Sequence, residues 1–160
     1  MTFTGKLVVG HDGSSFADTA LEWALEWAKR TNLDVLVVRA WTMRTAPRPA
    51  TQEMGFVPPT SDFEAAVKEA LDRDIATTLA KFPEVSVDTR ASRGQPANVL
   101  VDASNGASLL VVGPRGLGGF RGLMLGSVSD FVVSQANCPV VVVRGEGDPA
   151  QSEPVDKAQA

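Results

Sequence analysis

The sequence predicts a doubly wound α/β domain, in which one parallel sheet carries helices on both of its faces. Short, continuously apolar runs recur along the chain, as in strands that are buried on both sides. Segments with apolar residues at helical spacing separate these runs, so that strands and helices alternate. The pattern contains five strands, and we expect them to form a flavodoxin- or Rossmann-like sheet with the strand order 3-2-1-4-5.

The first strand is predicted over residues 6–10, a short apolar run. The turn that follows contains Ser14 and Ser15, either of which suits the N-cap of a helix. Apolar residues then recur at helical spacing on the face that we expect to be buried, namely Ala17, Ala20, Leu21, Ala24, Leu25 and Ala28. Residues 35–41 form the next apolar run and predict the second strand.

The middle of the chain begins with a long loop. Residues 42–61 are rich in proline and show no periodicity, and a loop of this length in a compact domain is often functional. Residues 62–82 repeat apolar side chains at helical spacing and predict the second helix. Residues 85–89 alternate between apolar and polar, which is typical of a half-exposed edge strand. A short helix over residues 97–104 follows, with Pro96 at or near its first turn.

Two more strands and one helix complete the pattern. The strands are predicted over residues 108–113 and 139–143, with the last helix over residues 127–137 between them. Residues 145–160 are rich in Gly, Pro, Glu, Asp, Gln and Ala and have little to bury, so we expect a disordered tail. The predicted organisation is therefore one domain, residues 1–144, followed by this tail.

Length, charge and cysteine content narrow the class of protein. A chain of 160 residues is long enough for one domain with a sizeable core. Its net charge of −4 argues against a general nucleic-acid binder. The single cysteine, Cys138, excludes an internal disulfide and fits a reducing compartment. No stretch approaches the ~20 apolar residues of a membrane span, and the N-terminus lacks the layout of a signal peptide. We therefore expect a cytoplasmic protein without a nucleic-acid or membrane partner.

The glycine-rich stretch at residues 113–127 is the feature that we expect to carry function. It connects a strand to the start of a helix, an arrangement whose exposed backbone N–H groups can bind a phosphate. The sequence between Asp102 and Asp130 contains no carboxylate, whereas Arg115 and Arg121 are present, and this charge bias favours an anion. The alternative is a flexible loop with solvated arginines.

Other nucleotide and catalytic motifs are excluded by inspection. A P-loop requires Gly-Lys-Ser/Thr, and the chain contains no such tripeptide. The dinucleotide fingerprint begins at Gly116 and Gly118 but meets Arg121 where its third glycine belongs, and it should follow the first strand. His11 is the single histidine, so neither a cluster of histidine metal ligands nor a Ser-His-Asp triad can be assembled.

The spacing that does fit is G-x2-G-x9-G-S, formed by Gly113, Gly116, Gly126 and Ser127. By this motif the chain resembles the universal stress protein family, specifically its ATP-binding branch. The resemblance covers about residues 6–144 and includes three further segments, residues 9–14, 94–96 and 138–143.

The resemblance implies a set of nucleotide-binding residues. Ribose and phosphates would be wrapped by Gly113, Arg115, Gly116, Gly118 and Gly119. The phosphates would be held at the helix N-terminus by Gly126, Ser127, Val128 and Ser129. Asp12, with Gly10 beside it, would border the nucleoside, and Ala40 would touch adenine. Pro114 departs from the family, which more often has a small hydroxylic or similar residue there, and proline lacks an N–H donor.

The resemblance also implies what the protein does. The expected cofactor is ATP, with Mg²⁺ carried by its phosphates, and the expected role is that of a nucleotide-dependent regulator of the stress response. AMP or cyclic AMP, slow ATP or nucleotidyl hydrolysis, and an empty interaction module are the alternatives. No catalytic residue is assigned, because the loop offers no base apart from Asp12. In this family the final strand lies at the sheet edge, which implies a homodimer through Val140, Val141, Val142 and Val143.

Overall fold

The structure is a computed structural model that describes residues 5–118 and 124–145. Its sheet contains five parallel strands in the order β3-β2-β1-β4-β5, which confirms the predicted fold class and strand order. The strands are β1 (Leu7–Gly10), β2 (Val35–Trp41), β3 (Val87–Arg93), β4 (Leu109–Val112) and β5 (Val140–Val142).

Helices cover both faces of this sheet. They are α1 (Ser15–Thr31), α2 (Thr60–Leu79), α3 (Pro96–Ala103) and α4 (Ser127–Gln135). On one face, buried side chains of α1 and α2 pack against alternate residues of the central strands. On the other face, Leu100 of α3 and Val132 of α4 pack against Val8, Val38 and Leu110. The two cores bury the alternate sides of the same strands, as a doubly wound sheet requires.

The third strand begins and ends later than the sequence pattern predicts. The expected strand covered residues 85–89, whereas β3 runs over Val87–Arg93 and pairs along its whole length with Val35–Trp41 of β2. Val85 instead lies in a turn and donates its N–H to the carbonyl of Phe82 at 3.1 Å. Pairing with the neighbouring strand decides where this edge strand lies, and its outward side chains need not be apolar.

The strand order places the site. The chain passes from β1 to β2 on one side of β1, while β4 lies on the other side. The segments that follow β1 and β4 therefore diverge at the carboxyl edge of the sheet, and this point is where ligands bind in doubly wound folds. Two predicted features lie outside the described residues: the tail beyond Gly145, and Gly119 and Arg121 of the glycine-rich stretch. Among the described helices, none is both long enough and apolar enough to cross a membrane.

Candidate functional site

A pocket of about 540 Å³ opens at the carboxyl edge of the sheet, between the ends of the central strands and the start of α4. All predicted site residues that the structure describes line it, namely Gly10, Asp12, Ala40, Gly113, Arg115, Gly116, Gly118, Gly126, Ser127, Val128 and Ser129. Gly119 is the one predicted site residue outside the described part of the chain. The structure therefore brings together residues from three distant parts of the chain, namely residues 10–12, residue 40 and residues 113–129.

One end of the pocket is an apolar slot between the sheet and α3. Val38, Ala40 and Val112 come from the strands, and Leu100 and Pro96 come from α3. The sequence interpretation missed the α3 residues as site residues, although Pro96 belongs to residues 94–96, a segment that resembles the family. An apolar slot of this kind suits an apolar ring system.

Gly10 keeps this apolar slot open. A Cβ at Gly10 would lie 2.9 Å from one methyl carbon of Leu100 and 3.4 Å from Cγ1 of Val112. With a larger residue at this position, either its own side chain or those of Leu100 and Val112 would be displaced into the slot. Thr45, from the long loop after β2, also lines the pocket and brings the beginning of that loop to the site.

The other end of the pocket is formed by the glycine-rich loop and the start of α4. Gly126 occupies the N-cap of α4 and provides no side-chain cap. The first N–H groups of a helix have no partner within the helix, so an uncapped start is well suited to an anion. Ser127, Val128 and Ser129, the first residues of α4, all line the pocket here.

Pro114 has a structural function at the base of this loop. Its carbonyl accepts a hydrogen bond from the N–H of Gly126 at 2.7 Å. The hydroxyl of Ser129 donates to the carbonyl of Gly113, also at 2.7 Å. These two bonds join the beginning of the loop to its end through carbonyl groups, which proline retains. The missing N–H of Pro114 therefore costs the loop neither of these closing contacts.

Asp12 connects the two loops that flank the switch point. One carboxylate oxygen accepts the N–H of Ser14 at 3.0 Å, and the other accepts the N–H of Leu117 at 2.9 Å. The predicted location beside the nucleoside is thus accompanied by a direct contact with the glycine-rich loop. The Cα of Gly116 lies so close to this carboxylate that an added Cβ would collide with Oδ2 of Asp12.

Arg115 supplies positive charge to the pocket. Among the described lining residues it has the only side chain with a fixed positive charge, and it is 9% exposed. Its guanidinium carbon lies 4.9 Å from the centroid of the Phe16 ring, within the range of a cation–π contact. An arginine this buried is uncommon without specific partners, so its orientation is built into the fold.

His11 lines the pocket, and its ring is held by hydrogen bonds to neighbouring residues. Nδ1 lies 2.8 Å from a terminal nitrogen of Arg39 and accepts the N–H of Gly13 at 3.2 Å. Because Nδ1 faces two donors, Nε2 carries the proton and donates to Asp18 at 3.0 Å. Arg39 also donates to the His11 carbonyl at 3.1 Å and to Asp74 at 2.8 Å.

Burial favours the neutral form of the His11 ring. Removal from water lowers its pKa below the ordinary value of 6.5, and the charge of Arg39 lowers it further, while the hydrogen bond to Asp18 opposes the shift. The described residues contain no group of three or more His, Cys, Asp or Glu side chains that could hold a metal ion. His11 therefore acts as a structural link between β1, α1 and β2.

The fold and the pocket define the class of this protein: it is a doubly wound α/β domain with a glycine-rich loop and a helix start at its switch point. Within that class, the chain belongs to the universal stress protein family. The sequence model of the universal stress protein family matches residues 4–144.

Curated relatives support this assignment, and solved structures share the fold. A universal stress protein of Mycobacterium tuberculosis is 34% identical over 144 residues, which cover 86% of this chain and 44% of that protein. The chain thus spans less than half the length of the curated relatives it matches. Among solved structures, the universal stress protein UspA from Lactobacillus plantarum has a TM-score of 0.68 at 21% identity and covers 90% of this chain and 100% of its own. A universal stress protein in complex with cAMP has a TM-score of 0.64 at 26% identity, covering 88% and 97% respectively.

Proposed function

We propose that the pocket binds an adenine nucleotide, with ATP as the preferred ligand, and that the chain is a nucleotide-dependent regulator of the stress response. The observation that carries this proposal is the pairing of two different surfaces in one pocket. An apolar slot beside Ala40 and Leu100 suits a purine, and the uncapped start of α4 at Gly126 suits phosphates. The relative in complex with cAMP supports the choice of adenine.

Size and charge support the same ligand class. A volume of about 540 Å³ lies within the ~300–1,000 Å³ of typical small-molecule pockets. Arg115 is buried at the loop end, where a guanidinium can pair with phosphate oxygens in a bidentate manner. A ligand with several phosphates gains more from this charge and from the helix start than a nucleoside would.

Mg²⁺ would reach this site mainly on the nucleotide. Asp12 is the only described lining residue with a carboxylate, and both of its oxygens already accept backbone N–H bonds. A set of one carboxylate plus substrate phosphates is compatible with Mg²⁺, which keeps several waters and rarely uses an all-protein cage. The residues present therefore fit a phosphate-borne ion, held by the phosphates with at most one ligand from Asp12.

We infer binding rather than turnover. Hydrolysis of ATP requires a positioned water and usually a base near the terminal phosphate. Asp12 is the one carboxylate among the described lining residues, and its hydrogen bonds to Ser14 and Leu117 fix it as an acceptor between two loops. Slow hydrolysis is the alternative activity, and phosphate release that depends on Asp12 would favour it.

Calorimetry with ATP, ADP, AMP and cyclic AMP tests the proposal directly. We expect saturable binding of at least one of them by the wild-type protein, with ATP the tightest, and adenine nucleotide in the mass spectrum of ligand released from freshly purified protein. Ser134→Ala, at the far end of α4 on an exposed site, serves as the control and should bind normally. If folded protein gave no heat of binding with any of the four nucleotides, the proposal would be wrong.

We also propose that a second copy of the chain pairs along β5. In the described structure this strand pairs with β4 alone, so its outer edge presents unpaired backbone groups. Its valines are half-buried, and Phe131 and Val133 of the neighbouring α4 are 43% and 51% exposed. An apolar strand edge of this kind is normally covered, and a matching edge of another copy would cover it.

A further inference from the structure

Phe16 contacts the pocket's arginine from an element that the nucleotide motif does not include. It lies in the first turn of α1, and its ring lies 4.9 Å from the guanidinium carbon of Arg115. The backbone of Phe16 also lies directly against Gly113, since a Cβ on that glycine would be 3.0 Å from the Phe16 carbonyl oxygen. Phe16 thus contacts both the start of the glycine-rich loop and the cation within it.

The chemical type of the side chain that contacts an arginine affects how well that arginine can bind an anion. A carboxylate would orient a guanidinium but would also cancel its charge, whereas an aromatic face attracts the cation through its quadrupole and leaves the charge in place. An oriented arginine also loses less side-chain entropy when it binds than a freely rotating one.

We propose that Phe16 is a positioning residue for phosphate recognition, whose ring holds the Arg115 guanidinium at the phosphate end of the pocket. This inference rests on the proposed nucleotide binding and names the determinant of phosphate preference within it. Because the apolar slot is formed by other residues, Phe16 acts on the phosphates and leaves the binding of the base unchanged. The ring therefore favours nucleotides with more phosphates over those with fewer.

The test compares ATP and AMP binding by wild type, Phe16→Leu and Phe16→Tyr. We expect Phe16→Leu to weaken ATP binding about five- to tenfold and AMP binding less than about twofold, because the lost cation–π contact serves the outer phosphates. Phe16→Tyr keeps an aromatic face and should restore wild-type affinity for ATP. Trp27→Leu, on the exposed face of α1 away from the pocket, is the matched control and should change neither affinity.

A double-mutant cycle separates positioning from general packing. Once Arg115→Gln has removed the cation, adding Phe16→Leu should weaken ATP binding by less than about twofold further. If Phe16→Leu does not fold, Phe16→Met replaces it in the same cycle. Equal losses for ATP and AMP, or additive effects in the cycle, would overturn the positioning role while leaving nucleotide binding intact. Wild-type protein that binds neither nucleotide would instead overturn the proposed function, and the role of Phe16 with it.

Discussion

Asp12 accepts the backbone N–H of Leu117 at 2.9 Å, across a sequence separation of 105 residues. The same carboxylate accepts the N–H of Ser14 through its other oxygen, at the start of α1. One side chain therefore fixes the loop after β1 to the glycine-rich loop after β4. The mouth of the pocket is shaped by this link, because the loops that diverge at the switch point are held together there.

Removing the carboxylate should loosen the glycine-rich loop. Asp12→Ala loses both hydrogen bonds, and we expect a decrease of about 1 kcal/mol in the free energy of unfolding, since one bond is exposed, the other is only partly buried, and each contributes modestly. Amide hydrogen exchange should accelerate at Leu117 far more than in the sheet. Asp12→Asn retains an acceptor oxygen and should show an intermediate effect. Unchanged exchange at Leu117 in Asp12→Ala would show that this bond does not hold the loop in solution.

Two glycines of the motif should respond differently to alanine. At Gly126 the backbone (φ −72°, ψ 162°) suits any residue, and an added Cβ would make ordinary contacts, 3.4 Å to Cα of Arg115 and 3.6 Å to the Pro114 carbonyl. We expect Gly126→Ala to cost less than about 1 kcal/mol of stability, yet to weaken nucleotide binding at least about tenfold, because the methyl group occupies the anion site.

Gly113 is the matched comparison. Its Cβ would lie 3.0–3.1 Å from backbone atoms of Phe16, which the first turn of α1 holds in place. Gly113→Ala should therefore lower the free energy of unfolding by about 1–3 kcal/mol, as overpacking does. Urea denaturation and calorimetry of both variants check this contrast. Wild-type nucleotide affinity in Gly126→Ala would show that the ligand does not approach this glycine.

The sequence was sufficient to predict the sheet order because the apolar runs and the helical segments between them leave few topologies. It was also sufficient to predict where the pocket lies, since Asp12 and Gly113 follow strands that end at one edge and Gly126 precedes the helix that begins there. The bounds of β3 were not predictable in the same way. Its last residues, Ser92 and Arg93, are polar, and the strand continues through them because their backbone pairs with Ala40 and Trp41 of β2.

Contacts between distant residues were the other part that the sequence could not provide. The role of Pro114 depends on a carbonyl oxygen and on the N–H of Gly126 that reaches it, and neither group is specified by side-chain identity. Phe16 has the same spacing as an ordinary buried helical residue, and its contact with Arg115 exists only in the folded chain. Patterns along the chain predict which helix faces are buried and which strands lie at the sheet edge. These contacts, in contrast, depend on the conformation of the loops in the folded protein.

His11 should make stability depend on pH below 6.5. The pKa of the folded ring is lowered by burial, so between that value and 6.5 the unfolded chain binds more protons than the folded one. The contribution of neutral His11 to the free energy of unfolding is fully present above pH 6.5. It decreases as the pH falls through this window, by at most about 1.4 kcal/mol per pH unit for one group. Urea denaturation between neutral and mildly acidic pH measures the slope.

The variant His11→Gln is the control for that pH dependence, because His11 is the single histidine of the chain. Gln has no proton to gain in this range. The free energy of unfolding of the variant should therefore be lower than that of the wild type, but it should not change with pH where that of the wild type decreases. The charged groups that act on the ring, Asp18, Arg39 and Asp12, remain in both proteins, as does Asp74, which accepts a hydrogen bond from Arg39. An equal slope in the two proteins would assign the effect to another group.

Pro114→Ala separates the ring of proline from its carbonyl. The carbonyl that accepts the Gly126 N–H is kept in alanine, so the loop should close as before. We expect a loss of about 0.4–1 kcal/mol in the free energy of unfolding, because the unfolded chain gains conformational freedom, and no loss of nucleotide affinity. Weaker binding by a folded Pro114→Ala protein would show that the rigid ring, in addition to the carbonyl, shapes the anion site.

Pairing along β5 can be tested at one backbone group. The N–H of Val143 donates inward to the carbonyl of Val112, so by the alternation of a parallel strand the N–H of Val142 points to the open edge. Val142→Pro removes this outward donor without removing a bond to β4, and we expect it to convert a dimer into a monomer in sedimentation velocity experiments.

Val87→Pro is the matched control for this prediction. The N–H of Gly94 donates inward to the carbonyl of Trp41, so the same alternation directs the Val87 N–H outward on the opposite edge of the sheet. Its dimer should persist. A wild-type protein that sediments as a monomer at every concentration, or a dimer lost equally in both variants, would contradict pairing through β5.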